Sequence, residues 1–87
     1  MAIRSPAHAA FGQAVRAIRS RRGLSQESLA LECGLDRTYI SGIERGTRNP
    51  SLTNILKLAA ALEVHPAELF GPGAPDRTDT WPGPGPG

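Results

Sequence analysis

The stretch from Gly23 to Gly46, GLSQESLALECGLDRTYISGIERG, leaves few options for what this chain can fold into. Ser25 is a natural helix N-cap, and Gln26 and Glu27 follow in the first turn, where amide and acidic side chains suit the unpaired N–H groups. Leu29, Ala30 and Cys33 form an apolar stripe at i, i+1 and i+4. Gly34 can then go left-handed and end the helix. After Leu35, Asp36 can cap a second helix by accepting from the N–H of Thr38 or Tyr39, and Gly46 closes it. The pattern is two short helices joined by a tight turn.

The faces of the second helix follow from its period. At about 100° per residue, with Arg37 at zero, Ile40 falls near ~300° and Ile43 near ~240°, which fixes the buried direction. Arg37, Thr38, Ser41, Gly42 and Arg45 spread over the opposite side, a small, polar and basic face with no carboxylate on it. Glu44, near ~340°, turns toward the interior. Such a face suits a DNA major groove, where arginine reads guanine bidentately and serine or threonine bonds bases or phosphates. An ordinary solvated helix face could show the same residues, but a preceding helix and a Gly turn complete the helix-turn-helix pattern.

The run Leu24-Ser25-Gln26, Leu29-Ala30, Gly34-Leu35, Tyr39-Ile40-Ser41, Ile43-Glu44-Arg45-Gly46 continues into Arg48-Asn49-Pro50-Ser51-Leu52, Leu58-Ala59 and Ala61-Leu62. In combination these motifs resemble the Xre or Cro/cI-type family, the λ-repressor-like helix-turn-helix domains, over about residues 7 to 70. In size and layout the chain also resembles the short controller proteins of restriction-modification systems. The resemblance implies an all-α, five-helix DNA-binding domain in which Arg19 pairs with Glu44 and ties the first helix to the recognition helix. It also implies that Gln26 braces that helix and that the Gly46–Pro50 loop runs beside the DNA backbone. Leu31, Gly42 and the Pro/Gly tail depart from the usual pattern.

Eighty-seven residues allow one small domain. With only 5% aromatic residues the core must be aliphatic, which suits packed helices. The formal charge of +2 hides an asymmetry, since residues 1–48 carry eight arginines against four carboxylates. An anionic partner is therefore expected for the half that holds the motif. A lone Cys33 excludes an intramolecular disulfide, leaves no cysteine cluster for zinc and reads as a core filler. No long apolar run or secretory segment is present, so a soluble, cytoplasmic protein is expected.

Three parts are expected along the chain: a flexible N-terminal arm over 1–5, the DNA-binding domain over 6–70, and a disordered tail over 71–87. Ser5-Pro6 starts the first helix, which should run to about Arg22 with Phe11, Ala14, Val15 and Ile18 facing the core. Leu24 should anchor in the core and Leu31 should be half-exposed. Ser51 caps the fourth helix, whose stripe of Leu52, Ile55, Leu56, Leu58, Ala59 and Leu62 is wider than one buried face needs. The surplus at Leu56, Leu58, Leu62 and Phe70 is the expected dimer interface. Pro66, capped by His65, opens a short fifth helix that returns Leu69 and Phe70 to the core. In the tail ten of seventeen residues are Gly or Pro, and Trp81 is either a docking residue or part of a solvated end.

The sequence thus points to a regulator that binds double-stranded DNA half-sites as a homodimer. Arg37, Thr38, Tyr39, Ser41 and Gly42 are the candidate base contacts. Ser25, Gln26, Arg45, Arg48 and Asn49 are the candidate phosphate contacts. A protein-interaction module that keeps the fold, such as an antitoxin or adaptor, is the alternative. An enzyme is not expected: His8 and His65 stand outside any nucleophile or metal spacing, and no strand or phosphate loop is present. No metal, cofactor or small-molecule ligand is expected.

Overall fold

In the computed structural model, which describes residues 5–70, every α-helix begins at a side-chain cap foreseeable from sequence. The Ser5 hydroxyl accepts from the His8 N–H at 3.1 Å and starts α1 (Pro6–Arg21) with Pro6 at its first position. Ser25 accepts from the Ser28 N–H at 2.9 Å and starts α2 (Gln26–Cys33). Asp36 accepts from the Thr38 N–H at 2.8 Å and starts α3 (Arg37–Arg45). Ser51 accepts from the Asn54 N–H at 3.1 Å and starts α4 (Leu52–Leu62). Each cap satisfies a donor that the first turn would otherwise leave unpaired. Ser5, the last residue of the expected arm, is the cap of α1, as its residue type led one to expect. The rest of the expected arm and the whole tail, with Trp81, lie outside the described residues.

Four α-helices form among the described residues, not the five expected. Pro66–Phe70 is a 3-10 helix, because it is too short for a ladder of i→i+4 bonds. Its first turn is closed instead by the Glu68 N–H on the His65 carbonyl at 2.9 Å, three residues apart. The His65 ring caps it, accepting from the Ala67 N–H at 3.0 Å.

One core joins all the elements. Phe11, Val15 and Ile18 of α1 meet Leu29, Ala30 and Cys33 of α2, Ile40 and Ile43 of α3, Leu58, Ala59 and Leu62 of α4, and Leu69. Burial of each large aliphatic side chain contributes about 1.5–3 kcal/mol, so this aliphatic set carries the fold. Leu24 packs on its edge. Burial also pushes the Cys33 thiol up in pKa, with a smaller push from Glu32, consistent with a filler.

Burial corrects two expectations, one about α4 and one about α2. Leu58 and Leu62, expected at a dimer interface, are 0% exposed, because they fill the domain's own interior. The apolar surplus of α4 lies instead at Leu52 and Leu56, one turn apart and 71% and 49% exposed. Leu31 is 79% exposed, beyond the half-exposure expected of it.

Helices α1 and α3 approach to backbone contact. A Cβ on Gly12 would lie 2.2 Å from the Ile43 carbonyl oxygen and 2.7 Å from that of Glu44. Gly46, at φ +77°, ends α3 in the left-handed region, and a Cβ there would come within 3.2 Å of the Ala9 Cα. Small residues on α1 therefore let the last turn of α3 lie directly on its backbone. A mid-helix glycine costs about 1 kcal/mol relative to alanine, and at Gly12 this close contact is the reason for it.

Candidate nucleic-acid interface

What α3 presents outward depends on what it turns inward. Ile40 and Ile43 are fully buried, as their angles require. Glu44 turns the same way: its Oε2 accepts from Arg19 Nε at 2.6 Å and its Oε1 from Arg19 Nη2 at 3.0 Å. Gln26 Nε2 donates to the same Oε1 at 3.0 Å, and Arg19 Nη1 donates to the Leu24 carbonyl at 2.8 Å. The structure thus joins α1, the α1–α2 turn, α2 and α3 through one bidentate ion pair. Side-chain exposure is 13% for Arg19 and 4% for Glu44. The bond from Glu44 raises the pKa of Arg19 further, so the guanidinium stays charged. The carboxylate that α3 carries is spent here, and its outward face is left without one.

The candidate base contacts do not share one environment. Arg37 and Thr38 are exposed at the start of α3. The Thr38 hydroxyl donates to Asp36 Oδ1 at 2.6 Å, which engages its proton and leaves its oxygen free to accept. That bond, the Thr38 N–H and the charge of Arg48 hold the Asp36 carboxyl below its ordinary pKa, so the cap is ionised at neutral pH. Ser41 is half-buried and its hydroxyl accepts from Arg45 Nη1, so these two side chains present themselves as a pair. Tyr39 is half-buried, its ring against the core and its hydroxyl accepting from Asn54 Nδ2 at 3.1 Å.

Gly42, expected among the base contacts, does not lie on the exposed face of α3. It is buried, because the chain folds back over it after Gly46. The Thr47 N–H and hydroxyl both donate to the Gly42 carbonyl, at 2.9 and 3.1 Å, and the stem of Arg48 covers its α-carbon.

Among the candidate phosphate contacts, Arg45, Arg48 and Asn49 stand on α3 and the loop that follows, all three exposed. Arg48 lies over the Tyr39 ring, its guanidinium carbon 5.8 Å from the ring centroid and within cation–π reach. Ser25 and Gln26 stand at the N-terminus of α2 with their side chains already engaged, Ser25 on Ser28 and Gln26 on Glu44. The Asn54–Tyr39–Arg48 chain was not foreseen, since nothing in the residue spacing brings α4 to the face of α3.

Of the remaining expected interface residues, Phe70 is 43% exposed and rests against Phe11, ring centroids 5.2 Å apart. With Leu52 and Leu56 it makes up the large exposed apolar residues on α4 and the 3-10 helix. No helix among the described residues is long and apolar enough to cross a membrane.

Comparison with known proteins gives a consistent set of matches. The helix-turn-helix family profile matches residues 15–69. The control protein C.BamHI of Bacillus amyloliquefaciens is 63% identical over 61 residues, which span 69% of this chain and 75% of that protein. The control protein C.MunI of a Mycoplasma species is 48% identical over 61 residues, spanning 69% and 82%. Among solved structures, the restriction-modification controller protein C.AhdI from Aeromonas hydrophila matches with a TM-score of 0.70 and 60% identity, over 71% of this chain and 94% of that one.

Proposed function

This chain belongs to the helix-turn-helix family and is a DNA-binding transcription regulator, and on that premise we propose that it binds two operator half-sites as a homodimer with α3 in the major groove. One observation carries the reading. Arg19 and Gln26 draw Glu44 inside, so the outward face of α3 offers Arg37, Thr38, Ser41 and Arg45 with no acidic side chain among them. In this reading Arg37 and Thr38 read base edges, with Ser41 and Tyr39 beside them. Arg45, Arg48 and Asn49 set register on phosphates. The apolar surface of Leu52, Leu56 and Phe70 is the two-fold contact that spaces the recognition helices, since one self-complementary patch serves both subunits. The protein acts in the cytoplasm by binding alone, without catalysis, and by analogy with the control proteins above it regulates a restriction-modification system.

The reading is tested at Arg37. Arg37→Ala should cost about 1–3 kcal/mol for each base pair that the arginine reads, and relax preference at one position per half-site. Affinity for random duplex should hardly change. Equal weakening on operator and random DNA would reduce Arg37 to a phosphate contact and remove it from base reading.

A further inference from the structure

Gly42 sits mid-helix on α3, where glycine lowers helix stability, and its backbone is helical, so no left-handed conformation calls for it. Its neighbours supply another reason. A Cβ built on Gly42 would lie 2.5 Å from Arg48 Cγ, 3.2 Å from Arg48 Nε and 3.3 Å from the Thr47 hydroxyl oxygen. The volume that a side chain would fill is thus occupied by the stem of an arginine six residues further on. Past that stem, the Arg48 guanidinium lies over the Tyr39 ring, which Asn54 holds through its hydroxyl. Arg48, Asp36, Thr38 and Tyr39 line one shallow depression at the start of α3.

We propose that Gly42 is a positioning residue whose missing side chain seats Arg48, so that the seat and the Tyr39 ring deliver a pre-set guanidinium beside Thr38 for contact with DNA. The proposal rests on the functional reading above and adds to it how a loop arginine acts with the recognition helix. An arginine free in solvent must give up rotamer freedom when it binds. Held along α3, Arg48 has given up much of it beforehand, which is what preorganisation contributes to affinity. The clash that a methyl at position 42 creates is with Arg48 Cγ, close to that residue's own backbone, so the whole Arg48 stem must turn out of the seat while no backbone atom of α3 is struck.

The test compares wild type, Gly42→Ala, Arg48→Ala and the double variant on a duplex carrying the selected operator, over a range of salt concentrations, with melting temperatures alongside. Gly42→Ala should weaken binding as Arg48→Ala does. Each should make the negative slope of log affinity against log salt shallower by about 0.9 for each phosphate left unneutralised, and the double variant should be no weaker than Arg48→Ala. The melting temperature of Gly42→Ala should stay close to that of wild type, because alanine's helix preference offsets the displacement of the Arg48 stem. The proposal is overturned if Gly42→Ala binds like wild type, if the two effects add, or if Arg48→Ala leaves binding unchanged. Wild-type protein without salt-dependent duplex binding would contradict the functional reading itself, and the proposal with it.

Discussion

Replacing Glu44 with alanine is expected to destabilise the domain by about 3 kcal/mol, the lower end of the ~3–5 kcal/mol that breaking a buried pair costs. The substitution leaves the Arg19 guanidinium, 13% exposed in the intact pair, with only the Leu24 carbonyl as a bonded acceptor, and it strips Gln26 of its partner. An exposed pair such as Arg22–Glu63, with side chains 37% and 70% exposed, should contribute no more than about 1 kcal/mol when broken. Arg19→Ala should resemble Glu44→Ala, while the double change to Arg19→Met with Glu44→Leu should recover much of the stability, since an apolar pair removes the uncompensated charge. Urea unfolding of these variants beside wild type measures all of this. Unchanged midpoints in both single variants would show that the ion pair does not stabilise the fold.

The next largest effect is expected at Gly12. Alanine there places a methyl group against the carbonyl oxygens of Ile43 and Glu44, at 2.2 and 2.7 Å. These are backbone atoms of a packed helix and cannot swing aside, so α1 and α3 must move apart. Overpacking of this kind costs about 1–3 kcal/mol and occasionally more, against about 1 kcal/mol gained from alanine's helix preference. We expect the clash to win, with a net destabilisation of about 2 kcal/mol, because neither partner at this contact is a flexible side chain. DNA binding should weaken as well, since Glu44 sits at the same contact. Gly42→Ala, where the clash is with a side chain, supplies the contrast. A Gly12→Ala variant as stable as wild type would show that the two helices have room to separate.

Glu44 and Gly12 also mark where the sequence was legible and where it was not. Caps and helix faces are local properties, so Ser5, Ser25, Asp36 and Ser51 could be assigned from residue type and spacing. The inward turn of Glu44 followed from its angle relative to Ile40 and Ile43. The pairing of Arg19 with Glu44 came from family resemblance, since periodicity cannot bring α1 to α3. Packing of α4 was misjudged for a related reason. Its apolar stripe is wide, and which flank the core takes depends on where α2 and the 3-10 helix lie against it. The core took Leu58 and Leu62 and left Leu52 and Leu56 outside. Gly42 and Gly12 were opaque because a glycine's role is the identity of what lies above it, here Arg48 in one case and backbone in the other.

That a dimer reads two half-sites through α3 can be tested by selecting bound sites from a pool of random duplex DNA. The expected product is an enriched site with two-fold symmetry, its halves spaced about one helical turn apart, roughly 10–10.5 base pairs or a multiple of it, centre to centre. Recovery of no preferred sequence, or of a single unpaired half-site, would contradict the dimeric reading of α3.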